Sequence, residues 1–127
     1  AGSEEVYNIT RRGGDWNKLL GSSKFLVEWK QQNNSNIFLE SNFVVQTTNY
    51  RDIPAFISLC KEIGFNQISF QKIVDWGTFN TDIGNNFYKH AVWMHSHPEH
   101  QEFLEVMKNP LLKDPIINAT NLLEFLK

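Results

Sequence analysis

The chain has 127 residues, 41% apolar and 13% aromatic, with a formal charge of -2 and a pI near 6.1. That content can bury one proper core, so a single domain over residues 1–127 is expected and a disordered chain is not. Charges are intermixed without a basic block, no apolar run approaches the roughly 20 residues of a bilayer span, and the lone cysteine, Cys60, cannot form an internal disulfide, which argues against nucleic acid, against a membrane and for an intracellular, cytoplasmic protein.

Ala1-Gly2-Ser3 reads as a tag remnant, and no signal sequence opens the chain, so the sequons at Asn8 and Asn118 are set aside. After the turn at Gly13-Gly14, Asp15 is an N-cap for a helix in which Trp16, Leu19, Leu20, Leu26 and Val27 form one apolar stripe. Gln31 to Asn36 is a polar loop. Residues 37–46 form a strand with Leu39, Ser41, Phe43 and Val45 on one face, and the run Phe43-Val44-Val45, apolar on both faces, predicts burial between two layers. Asp52 is placed to cap a second helix, Pro54 sits in its first turn, Ile53, Phe56, Ile57, Cys60 and Ile63 recur at helical spacing, and Gly64 ends it. Residues 67–73 are a second strand, giving a strand–helix–strand unit suited to a parallel right-handed crossover. The segment DWGTFNTDIGNN is turn-rich and a helix is expected from about Pro98 to Lys108. Asn109-Pro110 stops that helix, and TNLLEFLK forms a short terminal one. Two parallel strands are few for an α/β domain of this size.

Three stretches supply a reason. YNITRRGGDWNKLL, then FVVQTTNYRDIPAFISLCKEIGFNQISFQKIVDWGTF, then HPEHQEFLEVMKNPLLKDPIINATNLLEF, together resemble in order the later half of a radical S-adenosylmethionine (radical SAM) enzyme. The branch meant is the one in which a partial (β/α) barrel can precede a cysteine-rich C-terminal region. The resemblance implies that residues 7–14 follow the fourth barrel strand, that residues 37–46 are the fifth and that residues 67–73 are the sixth. It implies a fold of β-α-β units, parallel strands with flanking helices. An intact parent would use S-adenosylmethionine and a [4Fe–4S] cluster, cleave the cofactor reductively to a 5′-deoxyadenosyl radical and abstract hydrogen from a substrate. The cluster needs a CxxxCxxC loop that one cysteine cannot supply, so no cofactor is expected on this chain alone. The expected partner is the missing N-terminal half of the barrel, or a second copy of the chain covering open sheet edges.

The same resemblance points to three cofactor-binding residues. Arg11 falls where the family places an arginine that forks onto the cofactor's methionyl carboxylate, while a solvated residue beside a turn is the competing reading. Gln71 and Ile73, at the carboxyl end of the second strand, fall where the sixth strand lines the adenine pocket, with ordinary strand packing as the alternative. No catalytic residue is assigned. Asn49 past the first strand reads as a local cap, Trp76 as a cover over apolar surface beneath a turn at Gly77, and Cys60 as a small buried hydrophobe.

The cluster WMHSHPEHQEF suggests a metal at first sight. Only His97 and His100 have helical ligand spacing, and Pro98 between them puts His97 at or before the first turn. Ser96 with Glu99 three residues on is a capping-box pattern, so the stretch reads as a helix start and no metal ligand is assigned. A non-enzymatic interaction module and a small His-rich metal-binding domain are the rival functions.

Overall fold

The computed structural model describes residues 1–77, 79–81, 84–85 and 87–127, with 80–81 and 84–85 described by backbone alone. The fold is α/β: a parallel three-stranded sheet in the order β1 (Glu40–Val45), β2 (Gln67–Lys72), β5 (Ile117–Asn118), flanked by helices. Helices α1 (Glu4–Thr10) and α2 (Trp16–Gln32) precede β1, and α3 (Ile53–Ile63) crosses from β1 to β2. Past a short antiparallel pair, β3 (Asn80–Thr81) with β4 (Gly84–Asn85), come α4 (Phe87–His90) and α5 (His100–Met107). The turn-rich reading of residues 75–86 covers Thr78, Asp82, Ile83 and Asn86, which lie outside the described residues.

The crossover is built as its sequence dictates. Pro54 lies in the first turn of α3, and the helix ends at Gly64, whose φ of 105° is a left-handed conformation that a side chain would strain. The apolar stripe of α3 buries Ile53, Phe56, Ile57 and Cys60. It packs on the sheet face carrying Phe43, Val45, Ile68 and Phe70. Phe43 and Phe70 are register partners, and the rings of Phe43, Phe56 and Phe70 lie 4.8 to 6.0 Å apart. On the far side of this core, Tyr50, Phe103 and Phe125 carry the aromatic packing on to α5 and the C-terminal segment.

Several expectations change against the structure. The first strand is shorter than residues 37–46: Ile37 and Phe38 are exposed, and Leu39 bonds the turn before β2, its carbonyl accepting from the N–H groups of Asn66 and Gln67 and its N–H donating to the Asn66 side-chain oxygen. Its second face is not buried: Val44, on the side opposite α3, is 37% exposed. Asp52 does not cap α3. It lies in a 3-10 turn (Tyr50–Asp52) with helical φ and ψ, and its carboxylate accepts from the backbone N–H groups of Gly2 and Ser3. Helix α5 starts at His100, two residues later than Pro98, and the Ser96–Glu99 capping box is absent. The Glu99 N–H is taken up by His97 Nδ1 instead. Trp76 is 83% exposed and belongs to no apolar cluster among the described residues. The third strand, β5, was not foreseen. It pairs Ile68 with Ile117 and Ser69 with Asn118, and the TNLLEF segment after it is a 3-10 helix (Thr120–Phe125) tied to β2 by the Thr120 hydroxyl on the Phe70 carbonyl and the Asn121 amide on the Lys72 N–H.

Candidate functional site

In β1 and β2 successive side chains alternate faces, so the packing of Phe43 and Phe70 against α3 sends Asn42, Val44 and Gln71 to the opposite face. All three are exposed there. With Thr10, Arg11, Gln46 and Asn49 they line a cleft of about 560 Å³ at the carboxyl end of β1 and β2. Ala1, read as a tag remnant, lines it too.

Arg11 reaches this cleft because helix α1 stops there. Arg11 is the C-cap, its N–H donating to the Tyr7 carbonyl, and its own carbonyl accepts from the Gly14 N–H across a tight turn. Gly13 adopts φ of 77° in that turn, a left-handed conformation that favours glycine, and a Cβ on Gly14 would stand 2.5 Å from the Tyr7 hydroxyl and push the Tyr7 ring aside. The Tyr7 ring packs on Trp16 at 5.4 Å, which fixes the turn to the start of α2. Arg11 belongs to none of the ion pairs among the described residues, so its fork is free for an anionic group.

Gln71 brings a side-chain amide to the same cleft from β2, some sixty residues away in sequence. Ile73 does not join them: it lies 9% exposed in a separate apolar cluster with Phe87 and Ala91, and its N–H donates to the Val45 carbonyl. Asn49 borders the cleft but spends its amide locally. Its Oδ1 accepts from the Gln46 N–H at 2.9 Å and its Nδ2 donates to the Val44 carbonyl at 2.9 Å, closing the end of β1. Asn42 and Gln46 were not singled out by sequence reasoning, and an alternation count along β1 places Asn42 beside Val44 on the exposed face.

The histidines do a different job. His97 Nδ1 accepts from the Glu99 N–H at 3.1 Å, which puts its proton on Nε2, and Nε2 lies 3.1 Å from the Thr47 hydroxyl and 3.2 Å from the Lys89 carbonyl. No lone pair of His97 is left for a metal. His100 is fully buried, its Nδ1 3.0 Å from the Val92 carbonyl and its ring between His95, Phe103 and Phe125. Among the described residues no three His, Cys, Asp or Glu side chains converge as metal ligands. A second cleft of about 440 Å³, lined by Thr47, Tyr88, Lys89, Ser96, His97 and Glu99, sits at the start of α5. Beside it Arg51 forks onto Glu102 with two contacts of 2.6 Å, which hold the Glu102 carboxyl below its ordinary value.

Cys60 is buried within α3, and burial pushes its thiol up. One buried thiol does not fit an iron–sulfur cluster, which takes several thiolates. No helix among the described residues is long and apolar enough to cross a membrane. The chain matches no protein-family model, no curated protein and no solved structure.

Proposed function

We propose that the chain is the later wall of a radical SAM barrel, supplying part of the S-adenosylmethionine pocket and none of the cluster ligands. One observation carries this reading. Arg11 and Gln71, picked from the sequence by resemblance alone, line one cleft on the face left exposed by a parallel sheet whose strands are ordered as they occur in the chain. Sequential parallel strands with a crossover helix on one face are the winding of a (β/α) barrel wall, and ligands bind such barrels at the carboxyl ends of the strands. The guanidinium of Arg11 suits the methionyl carboxylate, and the amides of Gln71, Asn42 and Gln46 suit the polar edges of the same ligand. Ile73 is reassigned to packing. Reductive cleavage of the cofactor and hydrogen abstraction belong to an intact parent, and this chain is inactive alone.

Fusing the chain behind the early half of a radical SAM barrel, with its CxxxCxxC loop, tests the reading. The fused protein is expected to bind S-adenosylmethionine in equilibrium dialysis, with at least tenfold weaker binding in Arg11→Ala and a smaller loss in Gln71→Ala. Equal affinity in both variants and the parent would refute it. A non-enzymatic interaction module is the second reading, favoured by β1, which pairs only with β2 among the described residues and so presents a strand edge.

A further inference from the structure

Helix α2 carries two apolar faces. The inner one packs toward α3 through buried Val27, with Trp16 and Leu20 partly covered beside it. The second face holds Leu19 (43% exposed), Phe25 (62%), Leu26 (49%) and Trp29 (41%). At 3.6 residues per turn these four, with Ser22 and Asn33, fall within a sector of about 120° turned away from Val27. Leu19, Ser22, Leu26, Trp29 and Asn33 alternate three-residue and four-residue steps, the seam by which one helix packs along another. Helix propensity does not call for such a face: exposed Phe and Trp are poor helix formers, and a helix with one buried stripe needs no second one.

We propose that this seam joins two copies of the chain, α2 lying antiparallel on α2 about a two-fold axis. The pattern is self-complementary as a two-fold contact requires. With the helices antiparallel, Leu19 of each copy faces Trp29 of the other and Ser22 faces Leu26, so large residues meet small or medium ones. A parallel arrangement would set Trp29 on Trp29 and Ser22 on Ser22, crowding one end and leaving a gap at the other. The flanking positions agree: Lys18 comes opposite Gln32 and Phe25 opposite Phe25, with no like charges in contact. Antiparallel helix dipoles add to the preference. Area sets the strength. Taking roughly 200 Å² for an aromatic side chain and less for leucine, the four apolar residues expose about 400 Å² per copy. The stems of Lys18 and Lys30 with Ser22 and Asn33 raise this to about 600 Å², or about 1,200 Å² for the pair, the lower bound of a specific interface. The seam shares no residue with the Arg11 cleft, so the two proposals stand or fall separately.

Sedimentation velocity on the full chain from low micromolar to several hundred micromolar is expected to show a monomer passing to a dimer. Leu26→Asp and Trp29→Asp should weaken association at least tenfold while melting stays cooperative, because both side chains are exposed in the single chain. Phe38→Asp, equally exposed but off the seam, should leave it unchanged. Phe25→Cys should cross-link to itself across the axis under oxidation. A chain that stays monomeric throughout, or one that pairs only with a different polypeptide, overturns the proposal. So does a dimer insensitive to Leu26→Asp and Trp29→Asp, or one in which Phe25→Cys does not cross-link. S-adenosylmethionine binding by the fused barrel is untouched by any of these outcomes.

Discussion

Asn49 separates a structural reading of the cleft from a ligand-binding one, and Asn49→Ala is the informative change. Its side chain, 7% exposed, satisfies one donor and one acceptor at the end of β1, the Gln46 N–H and the Val44 carbonyl. Removing the amide loses two hydrogen bonds worth about 1 kcal/mol each, and leaves two backbone groups to seek water in a partly buried place, so a loss of about 2 to 3 kcal/mol is expected. For a domain of this size that is a drop in Tm of roughly 8 to 12 °C. Asn49→Asp keeps the acceptor for Gln46 and loses the donor to Val44, setting a carboxylate against that carbonyl, and it should cost a comparable amount at neutral pH. Urea melts followed by circular dichroism measure both, and an unchanged m-value shows that native stability itself has moved. A loss under about 0.5 kcal/mol in Asn49→Ala would refute the cap argument and free Asn49 for a ligand.

Other expectations rest on the core, the ion pairs and the histidines. Phe70→Ala removes the ring packed on both Phe43 and Phe56 and should cost about 3 to 5 kcal/mol in the same urea assay, whereas Gln71→Ala on the exposed face should stay within about 0.5 kcal/mol. Arg51 on Glu102, Lys61 on Asp114 and Lys72 on Glu124 hold those three carboxyls below their ordinary values. A depressed folded-state value contributes stability above the unfolded-state value, so thermal melts should be flat from neutral pH down to the ordinary carboxylate range and fall as acid titrates the folded pairs. The decline should be gentle because the pairs are exposed, and largely removed by added salt. Zinc titration by calorimetry should show no tight site, as both nitrogens of His97 are engaged. A single tight site lost in His97→Ala and His100→Ala would overturn that. After anaerobic reconstitution with iron and sulfide the chain should be colourless, and a stoichiometric [4Fe–4S] absorption band would contradict the one-cysteine argument.

What the sequence determined was local and periodic. The Asp15 cap accepts from the Lys18 N–H, the stripe Ile53, Phe56, Ile57 and Cys60 is the buried face of α3, Gly64 ends that helix with positive φ, and the parallel pairing of Phe43 with Phe70 follows from two apolar runs joined by one crossover. Each is written within a few residues by steric rules or by the helix and strand periods, so it survives without knowledge of distant partners. Asn49 as a local cap was legible for the same reason, and Arg11 and Gln71 were reached through resemblance to a family. Only the tertiary structure decided which face of each element finds a partner. The stripe on α2 looked like core, yet Leu19 and Leu26 are exposed while Val27 is buried, because helical spacing fixes which residues share a face and not what lies against it. Val44 and Trp76 differ from expectation in the same way. Strand β5 escaped notice because two residues carry no period, and what marks them as a strand is their pairing with Ile68 and Ser69 of β2. The joining of Arg11 to Gln71, and the exclusion of Ile73, rests on strand register and on a turn sixty residues earlier, a relation carried by packing between distant segments and by nothing local to either.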